Sequence, residues 1–221
     1  MTRIKGTPET SSGQNRRKRS AVAKRRQIAE VAANLFFKKG FMQTTTKELA
    51  EACGMSVGTL YYYIKSKNDF PQMFCEIHNS DLDIMEKEIH KEMLVNTLEN
   101  TLRKAVKQYL YWIDRRSKLI MFWYDTVRYL SQDQLRAITH AEFRAIGYFE
   151  EILEKGKKEG SFKFRDLRVT AYSIELLCHE WILKAPFLRG QYTLEEYSNL
   201  CQDMAVALAR GIYKSSKKPA C

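Results

Sequence analysis

The sequence predicts an all-α protein in two parts: a short N-terminal domain of three helices built around a helix-turn-helix, and a larger C-terminal helical domain. Only 4 prolines and 10 glycines interrupt its 221 residues. Apolar residues recur at three- and four-residue spacing almost throughout, without strand-like alternation of useful length. The punctuation is helical too, with Ser or Thr followed three residues later by Glu or Gln at the starts and glycine at several ends.

The first helix is expected over 21–39, with Ile28, Val31, Ala32, Leu35 and Phe36 on one face and Gly40 placed to end it. Thr45 and Glu48 form a capping-box pattern that starts the second, which carries Leu49 and Ala52 inward and stops at Gly54. Ser56 caps the third, which runs to Ile64, and the fourth starts near Asn68, with Pro71 tolerated in its first turn. Beyond these, Asn96 with Glu99, Ser131 with Gln134 and Thr193 with Glu196 mark starts, and Gly160 and Gly190 mark stops. Helices are therefore expected over 97–115, 118–130, 132–159, 166–188 and 194–214. The domain plan is a disordered basic arm over 1–20, a helix-turn-helix domain over 21–70 with its motif at 45–64, a second domain over 71–214 and a tail over 215–221.

Charge separates the two parts. The net charge is +11, and residues 1–67 carry 14 Lys and Arg against 4 Glu, so nearly all the excess sits at one end. A polyanion-binding head on a neutral body has this asymmetry, because phosphate neutralisation supplies most sequence-independent affinity. A solvated basic tail accounts equally for residues 1–20, where Arg16, Arg17, Lys18 and Arg19 lie among small polar residues. Five cysteines without CxxC spacing suggest neither a disulfide framework nor a zinc finger, and a reducing cytoplasm is the expected location. No apolar run approaches a membrane span of about 20 residues. Four histidines with no HExxH or triad spacing, and no glycine-rich phosphate loop, predict no enzyme, no catalytic residue, no metal and no cofactor.

Within 44–64, Ala50 is small where two helices must pack closely, Gly54 permits the sharp turn, and Leu49 and Leu60 face the shared core. The segment 28–36, then Gly40 and Phe41, Thr45 and Thr46, Leu49 and Ala50, Ala52, Gly54, the run Gly58-Thr59-Leu60-Tyr61-Tyr62, and Lys65-Ser66-Lys67 together resemble the TetR family of regulators. The sequence departs from the usual pattern at Tyr63, where histidine is common, and at Ile64, where an aromatic is common. The resemblance implies that the third helix enters the DNA major groove with Ser56, Val57, Gly58 and Thr59 near base edges. It also implies that Tyr61, Tyr62, Tyr63 and Lys67, with Thr46 and Lys47, hold phosphates. Independent physical reasons favour these roles: helix N-termini present free N–H groups, hydroxyls donate, and lysine supplies charge. Three tyrosines in a row cannot all face outward, so at least one is expected in the core. Few of these residues read bases bidentately, so specificity is expected from thymine-methyl contacts by Val57 and Thr59, from DNA shape, or from the basic arm.

The C-terminal domain is rich in aromatics, which serve either core packing or the walls of an apolar cavity between helices. The family's effector pocket lies among the middle helices, and on that basis Tyr109, Trp112, Phe122, Trp123, Phe143 and His179 are the candidate ligand contacts. The last two helices carry apolar faces with small residues, including Ala171, Ala205, Ala207 and Ala209. In the family such helices pair across a two-fold axis, and a homodimer matches a two-fold operator. A weaker resemblance, in His179-Glu180-Trp181, Leu188-Arg189-Gly190 and the run from Thr193 to Tyr197, points to the branch that responds to acyl-CoA thioesters. The expected partners are a two-fold DNA operator, a second copy of the chain and a small apolar inducer such as an acyl-CoA or a fatty acid, and no membrane. A second reading is a helical lipid- or acyl-binding protein whose basic head meets an anionic membrane or nucleic acid. Dependence on duplex sequence separates the two.

Overall fold

The structure is a computed structural model that describes residues 11–211, with side chains described from Ser20 onward. Ten α-helices occur among the described residues, and no strand. The N-terminal ten residues of the expected arm and the tail over 215–221 lie outside the described residues, as do the side chains of Arg16 to Arg19. The chain divides into two compact units, one up to Ile77 and one from His78.

The first unit contains α1 (Ser11–Lys39), α2 (Thr46–Ala52), α3 (Val57–Tyr63) and the start of α4 (Phe70–Val95). α1 begins earlier than the expected position 21, because residues 11–20 contain no proline to stop the helix and include four Lys and Arg that favour it. Its core is a small aromatic cluster in which the Phe36 ring meets Phe41 at 5.0 Å and Phe70 at 5.3 Å, both edge-on. Leu49, Ala50 and Leu60 are buried where α2 meets α3. A 3-10 turn over Lys67–Asp69, capped by Ser66, precedes α4, so that helix starts two residues later than Asn68 suggested.

The second unit is a bundle centred on α5 (Leu98–Arg115), which packs against α7 (Gln132–Lys158), α8 (Leu167–Leu183) and α10 (Leu194–Arg210). Thr97, not Asn96, caps α5: its side chain accepts from the Asn100 N–H, while Asn96 bonds Glu92 at the end of α4. The helix expected over 118–130 becomes α6 (Ser117–Thr126) and a 3-10 turn over Val127–Tyr129. The one expected over 166–188 breaks at Lys184 into α8 and the short α9 (Ala185–Leu188), where Pro186 lacks the N–H a continuous helix needs. Gly211 ends α10 in the left-handed conformation, so close to the chain at Lys163 that a Cβ would lie 1.7 Å from the Lys163 carbonyl oxygen. No described helix is long and apolar enough to cross a membrane.

Candidate functional site

In the first unit the sequence builds an exposed helix end on a rigid support. Glu48 and Thr45 close a reciprocal cap at the start of α2, the Thr45 N–H donating to Glu48 Oε2 at 2.8 Å and the Glu48 N–H to Thr45 Oγ1 at 3.2 Å. Contact with Lys39 and the Thr45 donors hold the Glu48 carboxyl down to about 2. Gly54, at φ +64°, makes the sharp turn between α2 and α3. Ser56 Oγ then accepts from the Thr59 N–H at 3.1 Å and lies 2.8 Å from Thr59 Oγ1, which presets the first turn of α3.

The candidate DNA contacts fall into three groups. Ser56, Gly58, Thr59, Tyr61, Tyr62 and Lys47 are exposed, Tyr62 at 82% being the most open aromatic of the three in its run. Thr46, Val57 and Tyr63 are half-buried. Tyr63 stacks edge-on with Tyr62 at 5.2 Å, and its carbonyl accepts from Arg25 Nη1 at 2.6 Å, which ties the end of α3 to α1.

Lys67 forms a group of its own, because its ammonium is engaged within the protein. Its Nζ donates to the carbonyls of Phe41 at 2.7 Å, Thr44 at 3.0 Å and Met42 at 3.2 Å, and lies 4.7 Å above the Phe41 ring. All three ammonium donors therefore pin the turn between α1 and α2, and burial lowers its pKa. Lys67→Met should cost the first unit about 1.5–3 kcal/mol, since hydrogen bonds to a charged group are lost. The salt dependence of DNA binding by the folded protein should not change, whereas a lost phosphate contact would reduce the slope by about 0.9. Chemical denaturation and a salt titration of DNA affinity measure the two effects separately.

In the second unit a cavity of about 220 Å³ opens among α5, α6, α7 and α8, with His78 of α4 in its wall. Tyr109, Trp112, Trp123 and His179 of the candidate ligand contacts line it together with Tyr124. Phe122 and Phe143 do not. Phe122 is buried in the surrounding core and Phe143 is half exposed, 5.8 Å below the Arg168 guanidinium. Helical geometry explains both, because neighbouring residues diverge by about 100°. α7 presents Leu135, Ile138, Thr139, Glu142 and Ala145 to the cavity, a single stripe from which Phe143 departs by one step.

The cavity's polar groups are mostly ones that the aromatic pattern did not indicate. Glu175 and His179, four apart on α8, are both 7% exposed and 3.1 Å apart. The Tyr109 hydroxyl lies 3.3 Å from His179 Nε2 and 3.4 Å from Glu175, and the Tyr124 hydroxyl 2.8 Å from His179 Nδ1. Burial, then the Glu175 charge, pushes both tyrosines up, so they remain protonated. Trp112 Nε1 donates at 2.9 Å to Asp81 of α4, which also accepts from Arg116 at 3.2 Å. The sign of this network in the sequence is an acid and a histidine one turn apart on α8, Glu175 and His179.

His78 is 2% exposed, and burial, reinforced by His179, holds its pKa down to about 3. The native state therefore refuses a proton that the unfolded chain accepts below about 6.5. The His78 contribution to stability is complete above that pH and is lost as pH falls from 6.5 towards 3, at up to about 1.4 kcal/mol per pH unit. Denaturation midpoints at pH 7.5, 5.5 and 4.5 should fall more steeply in the wild type than in His78→Gln.

The strings behind the weaker resemblance form a structural joint. Trp181 stacks on Tyr197 at 5.3 Å and donates to Asp114 at 2.8 Å, Arg189 pairs with Asp114 at 3.0 Å, and Thr193 with Glu196 caps α10. Of these residues only His179 reaches the cavity.

Both units match known families. The model for bacterial regulatory proteins of the tetR family matches residues 28–70, and that for tetracyclin repressor-like C-terminal domains matches residues 96–183. The HTH-type transcriptional repressor KstR2 of Rhodococcus jostii (strain RHA1) is 29% identical over 162 residues, covering 67% of this chain and 76% of that protein. Among solved structures, FadR from Bacillus subtilis in complex with stearoyl-CoA aligns with TM-score 0.67 at 20% identity, over 82% of this chain and 97% of that one. AibR in complex with isovaleryl coenzyme A and operator DNA aligns with TM-score 0.64 at 21% identity, over 85% and 99%. With a helix-turn-helix in one unit, a helical bundle in the other and a family match to each, this chain belongs to the TetR family of transcriptional regulators and is not an enzyme.

Proposed function

We propose that the chain is a ligand-released repressor: a homodimer that holds a two-fold operator through the exposed start of α3 and lets go when a small apolar molecule enters the cavity of the second unit. The observation that carries this reading is the cavity itself, walled by Tyr109, Trp112, Trp123 and Tyr124 in the unit that does not contain the helix-turn-helix. Residues Ser56 to Thr59 lie at base edges, with Tyr61, Tyr62, Thr46 and Lys47 on phosphates. The free faces of α8 and α10, where Val169, Tyr172, Leu176, Leu200 and Met204 are exposed, supply apolar surface for a two-fold pairing. An acyl-CoA thioester is the favoured effector class, supported by the stearoyl-CoA and isovaleryl-CoA complexes of FadR and AibR.

His78 lines the cavity from α4, the helix whose first turns belong to the other unit, and Asp81 on the same helix holds the cavity's Trp112. Effector binding must favour the DNA-incompetent state by about 1–3 kcal/mol to couple the sites. The test is binding to a fluorescent fragment of the gene's own upstream region against a scrambled duplex across a salt series, followed by addition of octanoyl-CoA. A preference of roughly 10³ or more with dimer stoichiometry, reversed by the thioester, is expected. Equal, steeply salt-dependent binding to both duplexes would reduce the head to a basic tail.

A further inference from the structure

The cavity in the second unit is not the plain apolar slot that a saturated chain would need. Among the described residues that line it, no lysine or arginine appears, while Glu142 and Glu175 bring two carboxyl groups. Glu175 is already engaged by His179 and Tyr109, whereas Glu142 has no hydrogen-bond partner among the described residues. Although Glu142 as a whole residue is exposed, burial against the cavity wall and then the Glu175 charge raise its pKa.

Two further groups in the same wall lack partners. Trp123 Nε1 and His78 Nδ1 are sealed from solvent and form no hydrogen bond, although their rings lie 5.1 Å apart. The other indole in the wall is satisfied, since Trp112 donates to Asp81. An unpaired buried N–H costs free energy that a suitable occupant removes.

These groups make complementary demands. Glu142 wants a donor and Trp123 Nε1 wants an acceptor, and a hydroxyl is both. A hydrocarbon answers neither, a carboxylate is repelled by Glu142 and Glu175, and an ammonium leaves the indole N–H unpaired. We infer that the part of the effector entering this cavity is a flat or compact apolar group bearing an uncharged hydroxyl, bound between the Glu142 carboxyl and the Trp123 N–H. The inference rests on the reading of this cavity as the effector site, and it separates the two effector classes named above: an acid must arrive with its carboxylate masked, as in a thioester.

Four ligands with one ring and different heads test it on the full-length protein by isothermal titration calorimetry: toluene, 4-methylphenol, 4-methylbenzoate and 4-methylbenzylamine. The phenol should bind about tenfold or more tighter than toluene, the gain expected of a hydrogen bond to a charged group, and the benzoate should not bind. Trp123→Phe should erase most of the preference for the phenol over toluene, and Glu142→Gln, at an exposed position, should let the benzoate in. Equal binding of phenol and toluene, tightest binding by the benzylamine, or benzoate binding that matches the phenol overturns the inference. If octanoyl-CoA fails to bind while the phenol preference holds, the thioester reading falls and the hydroxyl site stands. If none of the four binds while octanoyl-CoA does, the hydroxyl inference falls and the effector site stands; if neither they nor octanoyl-CoA bind, both fall together.

Discussion

Replacing Gly156 with alanine will destabilise the C-terminal unit by about 1–3 kcal/mol, the range for overpacking a close-packed core. Gly156 sits in the last turns of α7, and a Cβ there would lie 2.1 Å from Phe162 Cδ2 and 2.8 Å from its Cγ. The ring cannot simply swing away. Phe162 is 3% exposed, and its N–H donates to the Gly156 carbonyl at 3.0 Å, so side chain and backbone are held against the same residue. The unfolding temperature should fall by several degrees at this chain length. Gly156→Ala combined with Phe162→Leu should recover part of the loss, as expected when two residues share one space. An unchanged melting temperature in the single variant would show that the ring and the helix do not meet as described.

Gly58→Ala should have the opposite signature, leaving the protein as stable or slightly more so while DNA affinity drops by about 100-fold. Gly58 is the second residue of α3, its φ is not positive, and the nearest atom to a Cβ is Ser56 Oγ at 3.9 Å. Alanine therefore fits the folded chain and reduces the freedom of the unfolded one, a gain of about 0.4–1 kcal/mol. On the proposed reading the cost falls on DNA, because a methyl group at the exposed start of the helix would stand where backbone N–H groups approach the duplex. A tenfold loss at each half-site is about 1.4 kcal/mol, and a dimer on a two-fold operator incurs it twice. Thermal unfolding and operator titration of the same preparation separate the effects. A variant that is more stable and binds DNA as well as the wild type would remove Gly58 from the interface.

The two glycines show why burial and function have to be read together. Both lie in helices and neither has a positive φ, yet one is pressed by its own chain and the other meets only Ser56 Oγ, at an ordinary contact distance of 3.9 Å. Lys67 makes the same point with charge: the sequence offers it as a phosphate contact just past α3, and in the fold its ammonium clasps the α1–α2 turn.

The amino-acid sequence by itself determined the helical class, the capped helix-turn-helix and the candidate contacts at the start of α3. Those features depend on residues within four positions of each other, where capping chemistry and helical periodicity operate. It also led to Tyr109, Trp112 and Trp123, because aromatics clustered in apolar helices mark interior surface and the family resemblance places a pocket there, and to His179 through that resemblance alone. Only the tertiary structure decided which of the remaining aromatics face the cavity, since a step of one residue turns a helical side chain by about 100° and sends Phe122 and Phe143 elsewhere. It alone brought His78, Glu142 and Glu175, from three different helices, into one wall and left the Trp123 N–H without a partner. Whether a buried polar group is satisfied is a property of separations across the fold, and no local pattern records it.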